Sequence, residues 1–462
     1  MFFAQYYLDC LSQASYMIAD ERTGRAVVVD PRRDVSEYLA DAEARGFTVV
    51  GVINTHFHAD FVAGHLEVAA ETGAWIGYGR RAETEYPIRT LADGEVVSLG
   101  DVTLEIMETP GHTPESISVL VRERREDTVP YGVLTGDALF IGDVGRPDLL
   151  ASVGVTAEEL GAMLHDSVQN KLMALPDEVR VFPAHGAGSA CGKNLSTERQ
   201  STIGGQRATN YACAPMPQED FVALVTAGQS AAPGYFVYDA VLNRSERPLF
   251  DPAAAPRPLT AGDVTALRAS GAVVVDARDP QEFAAGHLRG SVNVPADGRF
   301  AEQAGTVLPA DAELLVVAPQ NREEEIVTRL ARIGFDRVAG YLRSPGDALA
   351  ALAGEVAPAS RLTASQVRAA LAGDNPPVVV DVRNCGERGE HGFIDGALHI
   401  ALGELPRRLD EIPRDRPLVL HCAGGLRSSI AASLLRHHGF ADVSDILGGY
   451  AAWDRSKAPA AA

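Results

Sequence analysis

The chain has 462 residues, 46% hydrophobic and 22% charged, an ordinary globular balance that excludes intrinsic disorder, collagen and a disulfide-built miniprotein. Its formal net charge of −21 repels polyanions, so neither nucleic acid nor an anionic membrane is expected as a partner. The five cysteines, Cys10, Cys191, Cys213, Cys385 and Cys422, are too few and too scattered for a disulfide framework, and a reducing cytoplasm is the expected compartment.

The stretch from Met1 to Gly24 lacks a basic segment followed by a long apolar one, so no signal peptide is expected. No apolar run is long enough to predict a transmembrane helix. Ala26 to Asp30 and Thr48 to Asn54 predict buried strands, with a helix over 34–45 between them. Gly77-Tyr-Gly79-Arg-Arg-Ala82 has dinucleotide-loop spacing without a βαβ context and is set aside. Val96 to Leu99, Val102 to Glu108, Ile117 to Arg122, Gly132 to Thr135 and Val179 to Phe182 predict further strands. Phe250 to Pro258, rich in Pro and Ala, can hold neither a helix nor a central strand, and a softer break lies near Ala353 to Ala359. These breaks delimit candidate domains 1–250, 258–352 and 360–458, with a frayed tail from Ser456.

The second and third segments repeat each other. Val273-Val-Val-Asp276-Ala-Arg278 is echoed by Val378-Val-Val-Asp381-Val-Arg383, and Gly286 to Gly290 by Gly392 to Gly396. Apolar runs at Leu314 to Ala318 and Leu418 to Cys422 precede helical patterns ending at Gly334-Phe335 and Gly439-Phe440. The period is too long for a solenoid unit, so this is a duplicated domain. Its β-branched runs alternate with helical stretches, which predicts an α/β fold with a mostly parallel sheet in each copy.

Four His/Asp groups in the first segment each follow a β-type run: Thr55-His56-Phe57-His58-Ala59-Asp60-Phe61, Pro110-Gly-His112, Thr135-Gly-Asp137 and Pro183-Ala-His185. Strand ends are rigidly placed while their loops can converge. Nitrogen and oxygen donors gathered in this way suit a borderline transition metal. The motifs resemble the metallo-β-lactamase superfamily over roughly residues 1–250, which implies an αβ/βα sandwich with its site at one edge. The His that normally closes the first motif is Phe61 here, so the resemblance implies one metal rather than two. Within the superfamily, Thr135 to Asp148 and Pro183 to Lys193 are similar to persulfide dioxygenases fused to rhodanese domains. That resemblance implies one Fe(II) in the first domain, held by His56, His112 and Asp137. Two imidazoles and a carboxylate leave positions open for substrate sulfur and O2. His58, Asp60 and His185 would orient ligands or meet substrate. Cys191 could lie near the iron, and Arg146 and Lys193 are candidate anchors for an anionic thiol carrier.

In the third segment the run Leu418 to His421 ends at Cys422-Ala423-Gly424-Gly425-Leu426-Arg427-Ser428, followed by a helical pattern. A Cys leaving a strand into a Gly-rich loop faces converging N–H groups and a helix N-terminus, which stabilise a thiolate or persulfide anion. Arg427 adds positive charge and Ser428 a donor. The loop resembles that of the rhodaneses, implying a catalytic Cys422. Protein tyrosine phosphatases place five residues between Cys and Arg; here there are four, Ala423 to Leu426, a tighter cradle suited to sulfur. The second segment has Ala318-Pro-Gln-Asn-Arg322 at the matching place and resembles an inactive rhodanese domain, a spacer or docking unit.

Together the resemblances imply oxidation of a low-molecular-weight thiol persulfide, glutathione- or coenzyme A-type, by O2 to sulfite and thiol. Sulfur transfer through Cys422 would then make or use thiosulfate. The alternatives are a Zn-dependent glyoxalase II-type thioester hydrolase fused to a sulfurtransferase, and a non-catalytic sulfane-sulfur carrier or sensor. The sequence is compatible with a homo-oligomer.

Overall fold

A computed structural model of the chain describes residues 1–149, 154–193, 195–229, 231–251 and 256–456. Part of the expected break, 252–255, and most of the expected tail, 457–462, lie outside the described residues. Two units separate: Met1–Ala232 with Phe236–Asp251 and Arg332–Gly334, and Pro233–Tyr235 with Pro252–Ala331 and Phe335–Ala462. Among the described residues no helix is long and apolar enough to cross a membrane.

Alternation along the strands decides the layering of the first unit. One sheet runs β1 (Phe2–Leu8), β2 (Gln13–Asp20), β3 (Arg25–Val29), β4 (Thr48–Ile53), β5 (Trp75–Gly79), β6 (Arg89–Leu91) in that spatial order, antiparallel up to β3 and parallel after it. The other holds β7 (Val96–Ser98), β8 (Thr103–Glu108), β9 (Ile117–Arg122), β10 (Gly132–Gly136), β11 (Arg180–Pro183) and β12 (Ser201–Thr202), with only the β10–β11 pair parallel. Successive side chains point to opposite faces. Val27 and Val29 therefore enter a core shared with Ile106, Val119 and Val121 of the second sheet. Their neighbours Ala26 and Val28 face Tyr38, Ala42 and Val68 of α1 (Ser36–Arg45) and α2 (His65–Thr72). On the far side Leu120, Val133 and Val181 pack against Leu164, Ile203 and Phe221 of α3 (Ala157–Asp166), α4 (Ile203–Thr209) and α5 (Gln218–Thr226). The result is the αβ/βα sandwich, and α6 (Phe236–Leu242) completes the unit. The β1–β2 hairpin was not anticipated: Phe2–Leu8 lacks β-branched residues, and every residue of β2 is buried, so it shows no alternation.

The second unit contains two parallel sheets. Strands β13 (Val273–Asp276), β15 (Val292–Asn293), β16 (Leu314–Val317) and β17 (Val338–Tyr341) pair in the order β15-β13-β16-β17. Before them in sequence comes α7 (Ala261–Ala269), between them lie α8 (Pro280–Ala285), α9 (Phe300–Val307) and α10 (Glu323–Ala331), and α11 (Pro345–Ala351) follows; β14 (His287–Leu288) pairs separately with β18 (Val356–Ala357). The second sheet runs β19 (Ser360–Leu362), β23 (Val443–Ile446), β22 (Leu418–His421), β20 (Val378–Asp381), β21 (Leu398–His399), accompanied by α12 (Ala364–Leu371), α13 (Cys385–His391), α14 (Leu426–His437) and α15 (Gly449–Arg455). The repeated Asp-x-Arg has one structural meaning in both copies. Arg278 grips Asp276 at 2.9 and 2.5 Å and donates to the Gly286 carbonyl at 2.9 Å. Arg383 grips Asp381 at 2.9 and 2.7 Å and donates to the Gly392 carbonyl at 2.8 Å. Each buried pair ties a strand end to the loop after the next helix.

Candidate metal centre and sulfur-transfer loop

The donors of the first unit leave the ends of strands β4, β10 and β11 and the β8–β9 loop. Asp137 Oδ2 lies 3.8 Å from His56 Nε2 and 3.5 Å from His112 Nε2, and all three donor atoms fall within 4.8 Å of one another. All three side chains are buried. His56 Nε2 and Asp137 Oδ2 have no hydrogen-bond partner. Buried polar atoms left unmatched at one shared point are costly unless a cation joins them, so these residues fit a metal.

The surroundings set which nitrogen each ring presents. Thr55 Oγ1 donates to Asp30 Oδ2 at 2.9 Å, so it can accept the Nδ1–H of His56 at 3.0 Å. Asp30, in a left-handed conformation at φ 50°, also accepts from the Thr55 backbone N–H at 2.7 Å and from His58 Nε2 at 2.9 Å. His112 Nδ1 donates to the Arg146 carbonyl at 2.9 Å. Both ligand rings thus turn a lone-pair-bearing Nε2 inward. Burial, then the neighbouring His58, holds His56 well below the usual imidazole range, in the neutral form that binds metal. Burial works to raise Asp137, but His185, His56 and His112 hold it far below the usual carboxylate range. Burial likewise opposes the charge on His185. The carboxylates Asp137, 2.7 Å from Nδ1, and Asp60, 2.8 Å from Nε2, overcome it and raise His185 well above its ordinary value.

The structure therefore brings His58, Asp60 and His185 against the triad, and commits them to carboxylate and imidazole partners. Phe61 is fully buried with its ring 4.3 Å from that of His58. Cys191 is buried within 4.8 Å of Asp137 and His185 donor atoms; burial, then Asp60 and Asp137, push its thiol well up. Arg146 and Lys193 are engaged elsewhere. The Arg146 guanidinium clasps Asp148 at 2.7 Å twice, and Lys193 Nζ donates to the carbonyls of Leu224 and Ala227 at 2.8 Å. Sequence reasoning missed Asp30 and Thr55, although Asp30 closes β3 as the ligands close their own strands. It also missed Asn243, for which no local signal exists. Asn243 is buried just beyond α6; its Nδ2 donates to the carbonyls of His58 and Phe61 at 2.8 and 2.9 Å, and its Oδ1 accepts the Ala63 N–H at 2.8 Å. It thereby clamps the metal-donor loop.

In the second unit Cys422 follows β22 and is buried. The Gly425 N–H donates to its Sγ at 3.1 Å and Ser428 Oγ at 3.6 Å. Gly425, at φ 102°, gives the loop its sharp return between Ala423 and Leu426, and Gly424 precedes it. Arg427 is clasped by Glu387 of α13 at 2.7 and 2.5 Å. Tyr450 N–H donates to the Cys422 carbonyl at 2.7 Å and Ala451 N–H to that of Ala423 at 3.1 Å, so the start of α15 supports the loop from behind. In the other copy Asn321 sits at φ 65° at the matching bend. No thiol occurs there, and Arg322 pairs with Asp297 and Glu325.

Comparison with known proteins agrees with this anatomy. The Metallo-beta-lactamase superfamily profile matches residues 8–185, and the Rhodanese-like domain profile matches 260–343 and 363–456. A crystal structure of a metallo-beta-lactamase from Staphylococcus aureus subsp. aureus COL is 33% identical with a TM-score of 0.67, covering 74% of this chain and 98% of that one. A hydroxyacylglutathione hydrolase of Rhodospirillum rubrum is 33% identical over 172 residues, 37% of this chain and 60% of that protein. The persulfide dioxygenase ETHE1, mitochondrial, of Homo sapiens is 27% identical over 173 residues, 37% of this chain and 63% of that protein. The match spans about three fifths of these two curated relatives. The chain belongs to the metallo-beta-lactamase superfamily, with a His/Asp metal-binding cluster in its first unit and two rhodanese-like domains in its second.

Proposed function

We propose that the first unit is an Fe(II)-dependent persulfide dioxygenase and that Cys422 is the nucleophile of a sulfurtransferase. The observation that carries the reading is the donor set. Two neutral imidazoles and one carboxylate face a shared point, while His58 and His185 are paired with carboxylates and the Phe61 ring, which can donate nothing to a metal, packs on His58. His56, His112 and Asp137 would hold the iron, which when bound supplies a site where sulfur and O2 meet and electrons pass between them. The overall reaction balances as R–S–SH + O2 + H2O → R–SH + sulfite + 2 H⁺. His185 keeps a proton between Asp60 and Asp137, and Asp30 with Thr55 orients His56.

At Cys422, sulfite attacks the outer sulfur of a Cys persulfide through its sulfur lone pair. The S–S bond breaks, the thiolate leaves with the electron pair, and thiosulfate is released. The reverse step loads the Cys from thiosulfate. Gly425 N–H and Ser428 stabilise the sulfur anion in both directions. A cytoplasmic site of action belongs to this reading, since the five cysteines are free.

The hydroxyacylglutathione hydrolase relatives support a second reading, thioester hydrolysis. Oxygen uptake by the Fe(II)-loaded chain on adding glutathione persulfide, with sulfite and thiosulfate quantified, separates the two. Multiple-turnover uptake that disappears in Asp137→Ala is expected. Hydrolysis of S-lactoylglutathione without any oxygen uptake would put the thioesterase in its place, and a single turnover per Cys422 would mark a sensor.

A further inference from the structure

The turn after α10 in the Cys-less copy repeats the turn after α14 in the Cys422 copy. Gly334-Phe335 matches Gly439-Phe440, and the Phe N–H donates to the carbonyl five residues back, Leu330 or Leu435, at 3.1 Å in each. Both glycines are left-handed, at φ 74° and 80°. Their surroundings differ. A Cβ on Gly439 would meet nothing within 4 Å, whereas one on Gly334 would come within 2.6 Å of Leu242, 2.9 Å of Asp239 and 3.1 Å of Tyr238, all on α6. Arg332–Gly334 accordingly fall with the first unit, although the residues on either side belong to the second.

Arg332 meets the metal-donor loop. Its carbonyl accepts the N–H of Val62 at 2.7 Å, and Val62 is fully buried directly after Phe61. Its guanidinium grips both oxygens of Asp34 at 2.9 and 2.6 Å. Asp34 lies four residues beyond Asp30, the carboxylate that orients His56 through Thr55 and accepts from His58. The two loops run side by side, since Arg32 bridges to Ala63 and the Gly64 N–H donates to the Pro31 carbonyl at 2.7 Å. One carbonyl and one guanidinium of Arg332 therefore tie together the loop that carries metal donors and the loop that orients them. Gly334 abuts the helix that leads to Asn243, the clamp on the same donor loop.

We propose that Arg332 and Gly334 are positioning residues of the metal centre, so that the Cys-less copy sets the place of the donor loop through the turn after α10. The proposal rests on a metal held by His56, His112 and Asp137, and not on which metal or which substrate. A ligand set works only when it is held to within about 0.5 Å by supporting groups, and a paired guanidinium–carboxylate contact fixes direction as well as distance. Arg332 touches no donor atom. It acts through Asp34 and Val62, one step further out than Thr55, so its loss should cost less than the loss of a direct orienting partner.

The test measures Co(II) binding to the full chain, by competition with a chelator and by the absorption bands of the bound ion. Arg332→Ala is expected to weaken binding by about three- to tenfold and to shift the bands. Arg332→Lys, which keeps the charge but not the fork, should recover part of the affinity. Asp34→Asn should show a similar loss, and the double variant Arg332→Ala/Asp34→Asn little more than either single one. Gly334→Ala should shift the bands in the same way. Sulfur transfer from thiosulfate at Cys422 should keep its wild-type rate in Arg332→Ala, as an effect confined to the first unit requires. A lower denaturation midpoint with unchanged affinity and bands in folded Arg332→Ala would leave the turn a support of the fold only and overturn the proposal, even where Gly334→Ala does not fold. Absence of Co(II) binding by the wild type would remove the metal centre and the proposal with it. If no persulfide supports oxygen uptake while Co(II) affinity still depends on Arg332, the dioxygenase reading falls and the positioning role stands.

Discussion

Thr55 has one hydroxyl proton, and the structure directs it to Asp30. The oxygen that remains is the acceptor fixing the tautomer of His56. His112 takes its orientation from a backbone carbonyl, which no side-chain substitution removes. The two ligands therefore differ in how they can be disturbed. Thr55→Val keeps the shape, deletes the acceptor and leaves Asp30 short of a donor. Loss of such an orienting partner weakens metal binding by about 10- to 100-fold. Competition between the protein and a chelator for Fe(II) or Co(II) measures this directly. Affinity unchanged from the wild type would mean that Asp30 and Thr55 only support the fold.

The sulfur loop is made by three elements: β22 delivers Cys422, α14 receives the chain after Gly425, and α15 closes on the loop from behind. The contact is tight at Gly449, where φ is 56°. A Cβ there would come within 2.5 Å of the Cys422 carbonyl oxygen and 2.7 Å of that of Ala423. Gly449→Ala must therefore push the loop or the helix aside, and both backbone groups are rigid. Sulfurtransferase activity with thiosulfate should fall at least as steeply as in a Ser428→Ala variant, while oxygen uptake by the first unit is retained. Full thiosulfate activity in Gly449→Ala would show that α15 does not position Cys422. Both copies share a further element-scale device. Thr260 and Thr363 each cap the first helix of their copy through a reciprocal box with Asp263 and Gln366, so the Cys-less copy keeps the same helix-start device as the Cys422 copy.

Across the second unit as a whole, two buried histidines impose a pH dependence. Burial pushes His421 and His287 down to about 4, against about 6.5 in an unfolded chain. The unfolded state therefore binds protons first as pH falls. The stability these residues contribute is complete above about pH 6.5 and is lost progressively down to about pH 4, by as much as about 3 kcal/mol for His421. In a Trp75→Phe variant the remaining tryptophan, Trp453, lies in the core of the third segment, so its fluorescence follows this unit alone. Denaturation midpoints should fall steadily from pH 7 to 4.5; a flat profile would contradict the neutral, buried state of these rings.

The sequence by itself determined the α/β class, the internal duplication and the order of the His/Asp groups. Each of these is written in local pattern: β-branched runs, recurring Asp-x-Arg, and donors placed where a strand ends. Local pattern also carried the Cys422 loop, since glycines beside a strand-end Cys report backbone that must turn sharply. The β1–β2 hairpin escaped because a strand buried throughout loses the alternation that marks a strand. Tertiary structure alone decided which polar side chains reach the metal-donor loop. Arg146 and Lys193 stand beside conspicuous motifs yet are tied to Asp148 and to helix-end carbonyls, whereas Arg244 and Asn243 reach the donor loop from a segment more than 180 residues away. A side chain's partner depends on distance through space, and one chain read in order does not contain that distance.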